Sequence, residues 1–92
     1  MNLNFTKKDG GWVAEFAASS DYNLHIEGVH EGNVRVFQRG TPSGEYAFVR
    51  GGTPYPSYDK VYDCDFSSFV YPKYVKVVCA TEPTSAVVTF AN

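Results

Sequence analysis

Three groups of residues have the types and spacing that chemistry would need. His25 and Glu27, two apart, would share one side of an extended segment, where an imidazole and a carboxylate can act as an acid–base pair. Asp59, Asp63 and Asp65 offer carboxylate oxygens in one short stretch, the donor type that calcium prefers. Tyr55, Tyr58, Tyr71 and Tyr74 gather in an irregular stretch and on the approach to the last strands. Phenol rings give broad contact area at little entropic cost and keep a polar tip, as at protein interfaces and sugar sites.

Each group also has a plainer reading. Two polar residues two apart on a strand are ordinarily both solvated. Calcium takes about six or more oxygens, and the Asp-rich, Gly-containing loop that supplies them in EF-hands is absent, so Asp63 and Asp65 read as an acidic solvent face that discourages edge-to-edge pairing. The tyrosines could equally cap the ends of the fold. No Ser sits in a Gly-x-Ser-x-Gly elbow, nothing ties His25 or His30 to a Ser, and no phosphate-cradling glycine motif opens a helix. No enzymatic activity and no cofactor are expected. Cys64 and Cys79 read by default as reduced, buried thiols; a disulfide between neighbouring strands and a reactive or ligating thiol are the alternatives. A structural zinc would need four ligands, and His25 and His30 lack the spacing to join the cysteines.

The elements that must position these groups are strands. The segment from Tyr74 to Ala80 and the segment from Ser85 to Ala91, with a break at Thr81-Glu82-Pro83-Thr84, are the most apolar and β-branched part of the chain. They read as a final hairpin at the centre of the core. Lys76 marks the wetter side of its strand, so Val75, Val77 and Cys79 should point inward, and Val88 and Phe90 on the next. Upstream, Leu3 and Phe5 alternate with polar residues, Lys8-Asp9-Gly10-Gly11 reads as a turn, and Trp12-Val13-Ala14-Glu15-Phe16 as a returning strand. Trp12 is most simply a core anchor, a surface contact being the alternative. Leu24 and Ile26 should face inward from Tyr22–Glu27, with Asn23, His25 and Glu27 outside. Val34 and Val36 should face inward from the next strand, leaving Phe37 between Arg35 and Arg39 on a side that is not simply solvent: it packs under a loop or carries a partner. Tyr46 and Phe48 form the large side of a fifth strand, and Tyr62, Cys64 and Phe66 alternate with Asp63 and Asp65 on a sixth. Between them, Gly51 to Lys60 holds two Gly and two Pro and reads as a loop carrying Tyr55 and Tyr58.

Turn signals every eight to twelve residues or so and about eight short strands predict an all-β antiparallel sandwich or small jelly roll, with a flattened barrel as alternative. A length of 92 residues allows one domain spanning 1–92. Hydrophobic residues make up 43%, enough for a core, and charged ones 20%, too few for charge-driven disorder. The net charge is −2 and the eight Lys and Arg are scattered from Lys7 to Lys76, so nucleic acid is not an expected partner. No apolar run is long enough to span a bilayer, and residues 1–8 lack the apolar stretch of a secretory signal. The expectation is no membrane partner and synthesis in the cytoplasm, with incorporation into a virion open. Seven Phe, seven Tyr and one Trp exceed what so small a core can hide.

At Trp12-Val13-Ala14-Glu15-Phe16, Tyr22-Asn23-Leu24-His25-Ile26-Glu27, Val36-Phe37-Gln38-Arg39 and Tyr71-Pro72-Lys73-Tyr74-Val75-Lys76-Val77, the chain resembles small uncharacterised β-rich proteins of gut Bacteroidales and of their phages and prophages. The likeness consists of strand and core patterns and implies a genomic setting rather than an activity. Two functions are therefore expected in turn. One is a structural or assembly protein, such as a phage particle component, contacting another protein or copies of itself. The other is a small module binding a glycan or other ligand through exposed tyrosines.

Overall fold

β-Branched and aromatic residues spaced two apart pair into eight antiparallel strands in the computed structural model, which describes residues 1–30, 33–51 and 60–91. The strands are β1 (Thr6–Lys8), β2 (Gly11–Ala18), β3 (Tyr22–Glu27), β4 (Val34–Arg39), β5 (Ala47–Gly51), β6 (Val61–Phe66), β7 (Lys73–Cys79) and β8 (Ser85–Phe90). They form a five-stranded sheet in the order β1-β2-β7-β4-β5 and a three-stranded sheet in the order β6-β3-β8. β4 pairs with β5, β3 with β6, β2 with β7, and Asn2 bridges Val87 of β8. These nested pairs, alternating between the sheets, are the wrap of a small jelly roll. The sheets stay separate, so the molecule is a sandwich and not a closed barrel.

The two-residue alternation places the core as expected. Leu24, Ile26, Val34, Val36, Val75, Val77, Cys79 and Val88 are buried between the sheets, with Trp12, Phe16 and Phe90 packed against them. Fully burying a Val, Leu or Ile side chain contributes about 1.5–3 kcal/mol, and these few residues supply most of the driving force. At one end of the core Tyr22 stacks on Phe66 and meets the edge of Phe16. Burial pushes its hydroxyl up to about 12, and Gln38 donates to that oxygen at 2.7 Å, so the polar tip is satisfied inside.

Three sequence expectations change. β7 and β8 are not a hairpin: β7 lies at the middle of the five-stranded sheet and β8 at an edge of the other, so Thr81–Thr84 crosses between layers. Thr84 N–H donates to the Glu27 carbonyl, tying the crossing to β3. Both strands had the right inward residues, but two inward-facing sides suit a sandwich crossing as well as a hairpin. Leu3 and Phe5 are not in a regular strand. The N-terminal stretch passes from the edge of one sheet to the edge of the other there, and both side chains pack on the core instead. Tyr46, expected beside Phe48 within the fifth strand, lies just before it, since β5 begins at Ala47. The Asp9-Gly10 turn is as read: both residues have positive φ, 52° and 80°, which matches the twist of a tight hairpin.

Candidate functional site

Along β2, β7 and β4 the same alternation that buries the valines sets a second lattice of side chains on the outside of the five-stranded sheet. Cross-strand register places Ala17, Tyr74 and Arg39 in one row, Glu15, Lys76 and Phe37 in the next, and Val13, Val78 and Arg35 in the third. β5 extends the middle row with Phe48 opposite Phe37. A register shift after Val36 leaves Val49 as the extra residue, so Arg50, opposite Val36, turns toward the sheet edge and donates to the Cys64 sulfur.

The rings and cations on this face are organised around one another. Phe37 and Phe48 meet edge to face, with centroids 5.7 Å apart. Lys76 carries its ammonium over Phe37 at 4.9 Å and over Tyr46 at 4.7 Å, and the Arg39 guanidinium lies 4.2 Å from the Tyr46 centroid. Arg39 also donates to the Gly44 carbonyl at 3.0 Å, which holds the turn before β5 against the sheet. Burial, with Glu15 nearby, raises the Tyr46 hydroxyl above its ordinary value. Glu15, Arg35, Phe37, Arg39, Tyr46 and Lys76 line a shallow depression of about 620 Å³. Both ion pairs among the described residues involve His25, so Lys8, Arg35, Arg39 and Lys76 keep their charge uncompensated there. Phe48 is 60% exposed and Val49 44%.

The opposite face carries the other candidates. Asn23, His25 and Glu27 lie outward from β3, with Asp65 and Asp63 opposite the first two. The Asn23 amide donates to Asp63 and to Asp65, each at 2.8 Å, so an N–H donor and not a cation sits between the two carboxylates. His25 Nδ1 meets Asp63 at 2.6 Å and Nε2 lies 3.6 Å from Glu27. The hydrogen bond to Asp63 is the main reason that His25 is held above its ordinary value and Asp63 below its own. The Ser85 hydroxyl donates to Glu27 at 3.2 Å. A nucleophilic triad needs the hydroxyl on the imidazole, whereas here it is on a carboxylate. His25 meets Asp63 and Glu27 on an open face, its side chain 38% exposed.

The sequence candidates therefore divide. Tyr74 is on the cationic face. Tyr71 is elsewhere, at the end of the sandwich, its hydroxyl donating to Asp21. Tyr55, Tyr58 and Asp59 lie outside the described residues. Asp63 and Asp65 share the outer side of β6 as expected; among the described residues no group of three or more His, Cys, Asp or Glu is placed to hold a metal. Cys64 and Cys79 are free thiols. Phe37 between two arginines was the one sequence signal for the cationic face. Tyr46, Arg39 and Lys76 join it through pairing between strands, which one segment alone does not reveal. The scatter of Lys and Arg along the chain was likewise undone by folding, since four of them gather here. Among the described residues no helix is long and apolar enough to cross a membrane. Compared with known protein families, curated proteins and solved structures, the chain matches none.

Proposed function

We propose that this protein is a non-catalytic structural or assembly component that works by protein–protein contact through the outer face of its five-stranded sheet. A single observation carries the reading: Phe37, Phe48, Tyr46 and Tyr74 share an open face with Arg35, Arg39 and Lys76, none of them in an ion pair among the described residues. Aromatic residues and Arg are the types enriched where proteins meet. The resemblance to phage and prophage proteins makes a particle component the natural setting. Jelly rolls serve in capsids and in lectins, so the fold itself does not choose.

The depression on this face favours a second reading, a small glycan- or ligand-binding module using Tyr46, which lines it, and Tyr74 on the same face. A sugar stacks on an open ring face, however, and the rings of Tyr46 and Phe37 already have Lys76 or Arg39 against them. Sedimentation velocity over a wide concentration range separates the two. Protein contact gives a mass that rises with concentration and returns to the monomer in Phe37→Ser/Phe48→Ser. A strict monomer that binds on a glycan array, with binding lost in Tyr74→Ala, contradicts it in favour of the sugar.

A further inference from the structure

We infer that the partner is a second copy of this chain, docked head to tail, with the cationic face of one molecule on the acidic face of the next; the inference rests on the assembly reading above. The two outer faces of the sandwich carry opposite charge. Lys8, Arg35, Arg39 and Lys76 dominate the outside of the five-stranded sheet, against Asp9 and Glu15. The outside of the three-stranded sheet has Glu27, Asp63 and Asp65, and the His25 ring on that face already meets Asp63. The chain as a whole is weakly acidic, so this separation comes from the fold and not from the composition.

Both faces are also prepared for contact. The Asn23 amide fixes the two aspartates side by side, and Lys76 and Arg39 each rest against an aromatic ring. Ordering that docking would otherwise have to supply is present beforehand. Each face has an apolar element beside its charges, Val87 opposite His25 on one and Val13, Val78 and Phe48 on the other. A polyanion fits less well, because Glu15 and Asp9 lie among the cations and the net charge of −2 repels it. The faces lie on opposite sides of the molecule, so the contact is heterologous: each docked copy presents a free face of either kind, and rows grow instead of closing as a dimer.

The test uses complementary charge reversals on the intact chain, followed by sedimentation velocity at low and physiological salt. One variant is Lys8→Glu/Arg35→Glu, the other Asp63→Lys/Asp65→Lys, with Asp63→Asn/Asp65→Asn as a milder partner to the second. Circular dichroism checks that each is folded. Wild type is expected to form a concentration-dependent ladder of species, weakened about tenfold or more between low and physiological salt. Each reversal alone should be monomeric, the Asn variant weakened in between, and an equal mixture of the two reversals should associate again. Association of the single reversals as strong as wild type overturns this inference and leaves assembly standing through another surface. A wild type that stays monomeric throughout overturns this inference and leaves the assembly reading only with a different protein as partner. Binding of a single-stranded oligonucleotide that is lost in Lys8→Glu/Arg35→Glu, without self-association, gives the face to a phosphate backbone and overturns both.

Discussion

Lys76 reaches across from β7 to the ring of Phe37, its cross-strand partner on β4, with Nζ 4.9 Å from the centroid. Its other cross-strand neighbour is Glu15 on β2, yet the ammonium goes to the rings and no ion pair with Glu15 forms. The choice keeps a cation and an aromatic surface together on an open face.

That arrangement has a measurable coupling. A double-mutant cycle of Lys76→Met and Phe37→Leu, read by urea unfolding, is expected to give about 0.5–1 kcal/mol, the range of an exposed cation–π contact. Strictly additive effects would mean that the two side chains are neighbours without interacting.

The acidic face has a pH signature. His25 is raised above its ordinary 6.5, chiefly by the hydrogen bond to Asp63, and Asp63 is lowered below its ordinary 3.8, chiefly by the hydrogen bond to His25. The His25 contribution is complete below pH 6.5 and disappears as pH rises through its higher folded value. The Asp63 contribution is complete above pH 3.8 and disappears as pH falls through its lower folded value. The pair is therefore most favourable between about pH 4 and 6.5. Both side chains are more than a third exposed, at 38% and 54%, so the effect on stability is small. Proton NMR titration of the His25 ring should give a value above 6.5 that returns toward it in Asp63→Asn; an unchanged midpoint in the variant would remove the pair.

Two glycines with positive φ should respond differently to alanine. Gly10, at φ 80°, has open space where a Cβ would stand, and Gly10→Ala is expected to cost about 1 kcal/mol for the left-handed backbone alone. A Cβ on Gly28, at φ 83°, would come within 2.8 Å of the Thr84 backbone nitrogen, at the point where the crossing between sheets is tied to β3. Gly28→Ala is expected to cost about 2 kcal/mol or more. Thermal or urea unfolding of both variants ranks them, and equal losses would argue against the close approach at Thr84.

The two thiols should be separable by reagent. Cys79 is buried between the sheets and its thiol is pushed up to about 12 by that burial, so little of it is thiolate at neutral pH. Cys64 is only half-buried, at the β6 edge. A thiol-specific chromogenic reagent should titrate Cys64 first in the native protein and Cys79 only on unfolding. Simultaneous reaction of both would contradict the placement of Cys79.

Side-chain direction was legible in the sequence wherever a strand carried one polar marker. Lys76 oriented β7, and Asn23 with Glu27 oriented β3, because the strand period is two and one outward residue fixes the rest. Partnership was not legible. Residues adjacent along the chain in β7 and β8 went to different sheets, since the connection Thr81–Thr84 is as able to cross layers as to turn. The candidate face was half visible: Phe37 between Arg35 and Arg39 marked an outside that was not merely wet. Lys76 and Tyr46 join it only through register with β7 and the turn before β5.

The most direct measurement of the working surface is a dilution series of amide spectra on isotopically labelled protein. Head-to-tail docking requires concentration-dependent shifts at Arg35, Phe37, Lys76 and Phe48 and, together with them, at Asn23, His25, Asp63 and Asp65. Shifts confined to other regions, or spectra that do not change with concentration, would contradict it.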